Sequence, residues 1–110
     1  MVLELTADNF QQQVIDAAVP VLVDFWSPTC APCRRIAPVL DELAAEAGGR
    51  FRVGKVNAWE EQALAVRYRI SAVPTLLVMK GGAVVNTLVG YQDKRQLLDA
   101  LRRALNEAFA

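Results

Sequence analysis

The sequence predicts an α/β domain with a mixed, twisted sheet and helices on both faces. Strand-length apolar runs alternate along the chain with segments of helical period. The run at 21–26 is apolar except at Asp24, which is typical of a strand buried on both faces of a parallel sheet. Lys80-Gly81-Gly82 separates two late strand candidates and indicates a hairpin, which adds antiparallel strands. At 110 residues, the chain is expected to form a single domain over 1–110.

The first half of the chain is predicted to contain a strand at 2–5, a helix at 7–17, a strand at 21–26, a helix at 31–47 and a strand at 51–57. Thr6 is the expected cap of the first helix, with Phe10, Val14 and Ala17 on its inner face. Pro38 lies inside the second helix, where its ring is expected to cause a bend. The second and third strands and the helix between them make a right-handed parallel crossover.

The second half is predicted to contain a short helix at 60–68, strands at 75–79 and 83–89, and a last helix. Ala63, Leu64 and Val66 are the expected inner residues of the short helix. Asp93 can cap the last helix, whose apolar stripe is Leu97, Leu98, Leu101 and Leu105.

Composition excludes several classes of function. Twelve basic residues balance twelve acidic ones, so the chain has no long-range attraction for nucleic acids or anionic membranes. The absence of histidine excludes catalytic triads and metal sites that depend on it. No apolar run reaches 18 residues, so no membrane span is predicted. The first residues carry no signal-peptide pattern, which predicts a cytoplasmic protein or one whose targeting segment has been removed.

The chemistry is predicted at Cys30-Ala31-Pro32-Cys33, just after the strand at 21–26. Cys30 would lie at a helix N-terminus, where unpaired N–H groups and the helix dipole stabilise a thiolate. Cys33 lies one turn further along the same face, close enough to form a disulfide with Cys30. An accessible thiol of low pKa beside a shielded partner is the requirement for thiol–disulfide exchange.

Three other interpretations of the cysteine pair stay open at this point. A structural disulfide across so short a loop would contribute only about 2 kcal/mol. A zinc or iron–sulfur site needs about four ligands, and the chain has neither a second cysteine pair nor a histidine, so only a site shared between two chains is conceivable. The pair can also be inert and buried.

Asp24 is the second candidate, because a carboxylate inside a buried strand is costly unless it is neutral, paired or functional. It is placed to accept a proton from Cys33 through a water, and burial should raise its pKa. The alternatives are a hydrogen-bonded Asp24 or a strand with one hydrated face. Lys55, in the next strand, is a candidate partner for Asp24 or a solvated strand-end charge. Pro74 precedes a strand and is a candidate cis proline or an ordinary trans one.

The sequence resembles the thioredoxin family from about Leu3 to Leu105. The matching segments occur in order: Asp24-Phe25-Trp26, the Cys-x-Pro-Cys unit, Ile36-Ala37-Pro38, Lys55-Val56-Asn57, Val73-Pro74-Thr75 and Val89-Gly90. The resemblance implies a five-stranded sheet between four helices, with Cys30 as the nucleophile, Cys33 as the resolving thiol and Asp24 as the proton acceptor. It also implies a partnership of Asp24 with Lys55 and a cis bond before Pro74.

The resemblance further implies a protein disulfide reductase that needs no bound cofactor or metal and acts as a monomer. A thioredoxin reductase would supply electrons, and oxidised cytoplasmic proteins would be the clients. The expected supporting residues around the cysteines are Trp26, Ala31, Pro32 and Pro74. A client strand would pair with the backbone around Val73, in a groove lined by Trp26, Pro74 and Gly90. The further candidates for this groove are Thr29, Trp59, Ala72, Val73 and Tyr91.

Three positions depart from the family pattern. Thr29 stands where a tryptophan usually precedes the first cysteine, and Ala31 stands where glycine is usual. Positions 29 and 31 are among those that set the reduction potential and the contact with clients. Trp59 stands where the family usually has an acidic residue, so its indole is a candidate to replace the missing one at position 29. The alternative is that Trp59 packs beneath the short helix.

Two other functions stay open on sequence grounds. One is a binding module or co-chaperone of the same fold, in which the cysteines are incidental. The other is a disulfide oxidase of an oxidising compartment, which the missing signal segment disfavours.

Overall fold

The computed structural model describes residues 1–107. Its elements in chain order are β1 (Leu3–Leu5), a π-helix (Gln11–Ile15), β2 (Val21–Trp26), α1 (Ala31–Glu46), β3 (Arg52–Asn57), α2 (Gln62–Arg67), β4 (Thr75–Lys80), β5 (Ala83–Val89) and α3 (Lys94–Glu107). The strands form one sheet in the order β1-β3-β2-β4-β5. β1, β3 and β2 run parallel, whereas β4 and β5 are antiparallel additions. The predicted α/β class, with a mixed five-stranded sheet and four helices, is confirmed.

The sheet separates two apolar clusters, and β2 contributes to both. Leu22 points into the cluster formed with α1 and α3, which includes Ile36, Leu40, Leu76 and Leu97. Val21, Val23 and Phe25 point into the opposite cluster, with Phe10 and Leu64. Residues 21–25 are therefore buried on both faces, as the unbroken apolar run indicates.

The first helix is shorter than the predicted span of 7–17. Its regular part is the π-helix Gln11–Ile15, and a turn precedes it. The side chain of Asn9 accepts a hydrogen bond from the Thr6 N–H (2.8 Å) and donates one to the Glu4 carbonyl (2.9 Å). The Phe10 N–H donates to the Thr6 carbonyl (2.9 Å), so one turn with a helical hydrogen bond leads from Thr6 into the π-helix. The Thr6 N–H is thus capped by the Asn9 side chain. Phe10 and Val14 are buried, as predicted.

α2 also differs from the prediction, because it covers only Gln62–Arg67 and buries only Leu64. Ala63 and Val66, predicted to face inward, are exposed; Val66 is 77% exposed. A helix of six residues makes fewer than two turns, so one position suffices to face the sheet. Tyr68 and Ile70, just beyond it, pack against the core cluster instead.

The two long helices agree with the sequence pattern. Asp93 and Gln96 form a reciprocal cap before α3, in which the Asp93 carboxylate accepts from the Gln96 N–H (2.9 Å) and the Gln96 amide oxygen accepts from the Asp93 N–H (2.8 Å). α1 continues through Pro38 without a break in the helix, and the bend expected there stays a prediction. Among the described residues, none of the helices combines the length and the hydropathy that crossing a bilayer requires.

We expect Gly54→Ala to lower the free energy of unfolding by about 1–3 kcal/mol, because a Cβ at this strand position overpacks the core. That Cβ would lie 2.5 Å from Leu5 Cδ1 and 2.8 Å from Leu5 Cγ. Leu5→Ala alone should cost about 2–5 kcal/mol. The double variant should cost less than the sum, since each change relieves the other. Urea unfolding of the four proteins measures this coupling, and additive costs would contradict it.

Candidate active site

The cysteine pair lies at the junction between β2 and α1. A turn at 27–29 follows β2, and the Cys30 N–H donates to the Ser27 carbonyl (3.3 Å). Cys30 is the N-cap of α1 in extended conformation, and its Sγ accepts a hydrogen bond from the Cys33 N–H (3.1 Å). Pro32 occupies the first helical turn, where no N–H is required. Cys30 and Cys33 are joined as a disulfide with a Cα–Cα separation of 5.2 Å.

The two sulfur-bearing residues differ in accessibility. Cys33 is only 4% exposed, whereas Cys30 is partly exposed at the surface. The difference follows from the helix, since Cys30 caps it and Cys33 lies one turn inside. Only Cys30 is therefore open to a sulfur from another protein.

Asp24 is buried in β2 and is only 1% exposed. Its Oδ1 has no hydrogen-bond partner, although such atoms are nearly always satisfied in folded proteins. Burial raises the pKa of the Asp24 carboxyl from 3.8 to about 7, and the charge of Lys55 opposes that rise in part. Near neutral pH this carboxyl is therefore able both to take and to release a proton.

Asp24 and Cys33 line the same cavity of about 90 Å³, together with Trp26, Arg34, Ala37 and Lys55. This space is large enough for a water molecule, and the free Oδ1 is one polar partner for it. The cavity therefore has room for one water beside both the Cys33 side chain and the Asp24 carboxyl.

Lys55 lies opposite Asp24 in the register of β2 and β3, but among residues 1–107 it forms no direct ion pair with it. Its Nζ lies 5.4 Å from the centre of the Trp26 ring, in a cation–π contact. The expected partnership is therefore an electrostatic influence on the pKa of Asp24 rather than a salt bridge.

The Val73–Pro74 peptide bond is cis. The Val73 carbonyl oxygen lies 3.7 Å from Cys30 Sγ, which places this backbone beside the more accessible sulfur. The Gly90 N–H donates to the Pro74 carbonyl (2.8 Å) and joins the start of β4 to the end of β5. Val73, Pro74 and Gly90 thus lie together next to the disulfide.

Two polar residues that the sequence analysis missed hold this backbone in place. Thr75 Oγ1 donates to the Ala72 carbonyl (2.6 Å), and Gln92 Nε2 donates to the carbonyls of Val89 and Gly90 (3.3 Å each). Both residues are buried. Their partners lie only two or three residues earlier in the chain, so these bonds close local turns that the sequence analysis did not assign.

The remaining predicted groove residues are exposed. Thr29 and Ala72 are at the surface, and Tyr91 is 44% exposed, with the guanidinium of Arg35 over its ring at 5.8 Å. Trp59 is 56% exposed. The backbone N–H of Trp59 donates to the Asn57 side-chain oxygen (3.0 Å), and this bond shapes the turn before α2. The alternative in which Trp59 packs beneath the short helix is therefore wrong.

No cluster of three or more potential metal ligands of the His, Cys, Asp or Glu types exists within residues 1–107. A cysteine pair capping a helix, with one sulfur accessible and a cis proline beside it, defines a thiol–disulfide oxidoreductase on an α/β fold.

The comparisons with known proteins agree with this class. The family model named Thioredoxin matches residues 1–103. Thioredoxin 1 of Nostoc sp. is 45% identical over 102 residues, which are 93% of this chain and 95% of that protein. Thioredoxin of Haemophilus influenzae is 41% identical over 102 residues, with the same shares. The chloroplastic M-type thioredoxin of Chlamydomonas reinhardtii is 41% identical over 99 residues, 90% of this chain and 71% of that protein.

The chain belongs to the thioredoxin family. Its Cys30–Cys33 pair is the redox-active dithiol of a protein disulfide reductase. Proteins of this family act through their own dithiol, and the chemistry therefore resides in residues of the chain itself.

We expect Asp24→Asn to stabilise the oxidised protein at alkaline pH. Between pH 3.8 and about 7 the folded state holds a proton on Asp24 that the unfolded chain releases. The free energy of unfolding therefore falls as the pH rises through this window. Asparagine removes that loss, so the advantage of the variant should grow by roughly 2–3 kcal/mol between pH 5 and pH 8.

Urea unfolding at both pH values measures this difference, and Asp8→Asn, at an exposed aspartate, is the matched control. An advantage of Asp24→Asn that does not change with pH would show that Asp24 titrates at its ordinary pKa.

Proposed function

We propose that Cys30 is the attacking nucleophile, Cys33 the resolving thiol and Asp24 the proton acceptor. The Cys30 thiolate attacks one sulfur of a client disulfide, forms a mixed disulfide and releases the other client sulfur as a thiolate. Cys33 then transfers its proton through water to Asp24 and attacks Cys30. The second client sulfur leaves, the client has gained two electrons, and the Cys30–Cys33 disulfide has formed.

The observation that carries this proposal is the asymmetry of the cysteine pair. Cys30 is accessible, whereas Cys33 is 4% exposed and shares a small cavity with an unpartnered carboxyl oxygen of Asp24. A shielded thiol needs a local base because bulk water has little access to it. Asp24 fits that requirement because its pKa of about 7 is close to neutral pH.

The supporting residues each have a physical role in this proposal. Trp26 forms one wall of the cavity, and its ring contacts Lys55, whose ammonium partly opposes the rise that burial causes in the pKa of Asp24. Ala31 and Pro32 begin α1 and keep its N-terminal amides directed at Cys30. Pro74 places its ring beside the sulfurs. A proline ring neither donates a proton nor binds a metal.

The groove beside the cis peptide is the proposed client site. An extended client segment would pair with the backbone around Val73, whose carbonyl is 3.7 Å from Cys30 Sγ. The residues proposed to line this site are Thr29, Trp59, Ala72, Val73, Pro74, Gly90 and Tyr91. The exposed indole of Trp59 supports its role, since large exposed aromatics are typical of binding surfaces.

We further propose that the chain is a cytoplasmic monomer in electron transport and cell redox homeostasis. A thioredoxin reductase returns two electrons to the Cys30–Cys33 disulfide, and oxidised proteins are the clients. The balanced charge supports partners other than nucleic acids and anionic membranes. The chemistry uses the chain's own sulfurs, so no bound cofactor enters the cycle.

We expect Cys33→Ser to accumulate a mixed disulfide with an insulin or peptide substrate, and Cys30→Ser to form none. In the wild type, Cys30 should react with iodoacetamide faster than Cys33, because it is more accessible. Mass spectrometry identifies the modified cysteine. Equal rates at both cysteines, or an adduct in Cys30→Ser, would contradict the assignment.

We expect Asp24→Asn to slow the resolution of the mixed disulfide by about ten-fold or more, because the local base is lost. The wild-type rate should rise through a step near pH 7, the pKa of Asp24, and the variant should lack that step. Stopped-flow measurement of thiol release between pH 6 and 8 tests this. Identical pH profiles would remove Asp24 from the mechanism.

Trp59→Ala should weaken the reduction of protein clients and leave the reaction with small disulfides nearly unchanged. A docked client would bury an indole surface of about 150–250 Å² that a small disulfide does not reach. Val66→Ala, at another exposed apolar residue, is the control. The measurement is kcat/KM for insulin and for a small aromatic disulfide. An equal loss with both substrates would contradict a docking role.

A further inference from the structure

Arg34 and Arg35 directly follow Cys33 in α1, and both are exposed. Among residues 1–105, whose side chains the structure describes, no carboxylate forms an ion pair with either guanidinium. Arg34 Nη1 donates to the Pro28 carbonyl (3.2 Å), and Arg35 lies over the Tyr91 ring at 5.8 Å. The ion pairs found within residues 1–107 lie elsewhere, on Lys94 and Arg102. The first turn of α1 contains no acidic residue. We call Arg34 and Arg35 the active-site arginine pair.

The two side chains leave α1 in different directions, since successive helical residues are about 100° apart. Arg34 reaches the turn at 27–29 that leads into Cys30. Arg35 reaches Tyr91, the residue after Gly90, and the Gly90 N–H is bonded to the Pro74 carbonyl. The active-site arginine pair thus adjoins the disulfide from the turn side and from the groove side.

Acidic groups also lie near the site. Asp24 is buried, and burial keeps it partly protonated near neutral pH. The Asp93 carboxylate, two residues after Tyr91, accepts the Gln96 N–H at the start of α3. Further acidic residues line a groove with Trp26 and Lys55, among them Asp41, Glu60 and Glu61. None of these carboxylates forms an ion pair with Arg34 or Arg35, so the two guanidinium groups are free to bind a carboxylate of another protein.

We propose that the active-site arginine pair selects client disulfides that are flanked by aspartate or glutamate. The inference rests on the proposed function, because it concerns the client of the same cysteines. A guanidinium binds a carboxylate through paired hydrogen bonds. The carbonyl of Pro28 and the ring of Tyr91 already restrain the two side chains. Binding a client carboxylate therefore costs less side-chain entropy than it would at two unrestrained arginines. Charges at such a rim mainly raise the rate of association.

Three disulfide peptides test this proposal. They are identical except at the residues beside each cysteine, which are glutamate in the first, glutamine in the second and lysine in the third. The reduced wild-type protein should reduce the glutamate peptide about ten-fold faster than the lysine peptide, since each exposed pair contributes a factor of roughly two to five. The ratio should approach one at high salt, where exposed charges are screened.

The charge-reversal variant Arg34→Glu/Arg35→Glu should invert the preference, and Arg34→Gln/Arg35→Gln should abolish it. The matched control is Arg102→Glu/Arg103→Glu, which changes the net charge equally at two successive exposed arginines of α3. The control should keep the wild-type ratio. Using the ratio of two peptides cancels any effect of the arginines on the reactivity of Cys30, because that effect is common to both.

The glutamine peptide distinguishes a failure of the proposed reductase function from a failure of the proposed preference for acidic clients. If the wild type fails to reduce it, the proposed reductase function is wrong. If it is reduced, but the glutamate and lysine peptides react at equal rates, only the client inference is wrong. A preference that survives in Arg34→Gln/Arg35→Gln would place the selectivity at other residues. Circular dichroism and urea unfolding establish that each variant is folded.

Discussion

The enclosure of β2 on both faces is the constraint on which the site depends. Its apolar residues serve two clusters at once, so the strand cannot shift without exposing one of them. That rigidity fixes the point at which the chain leaves the sheet and turns to Cys30. It also forces Asp24 into a low-dielectric position, at a cost in stability that the proposed role of this carboxyl beside Cys33 would explain.

The same constraint explains how much of the molecule could be predicted from the sequence. β2, α1 and α3 follow directly from apolar periodicity, because their burial is continuous over many residues. The extents of the two short helices were predicted wrongly, since a few side-chain hydrogen bonds shape their first turns. Asn9 bonds to the Thr6 N–H before the π-helix, and Asn57 shapes the approach to α2. Periodicity has little to detect in such short segments.

The site was predictable to a similar degree. The sequence pattern located Cys30, Cys33 and the cis peptide at Pro74, because these features lie in recognisable local motifs. It did not locate the contacts that cross between elements. Lys55 lies over the Trp26 ring rather than against Asp24, and Arg35 lies over the Tyr91 ring. Such contacts depend on the mutual approach of strands and loops, which one sequence does not encode in any fixed spacing.

The hydrogen bonds that hold the backbone beside the cis peptide bear on which of two binding proteins must change its conformation. Thr75 and Gln92 fix both sides of the groove before any partner arrives. A segment that binds in the proposed client site would therefore bear the entropic cost of becoming extended by itself, at about 1–2 kcal/mol for each residue ordered. Disulfides in loops that already open locally would bear least of this cost. The proposed client site would thus favour disulfides in locally unfolded segments over those in well-folded ones.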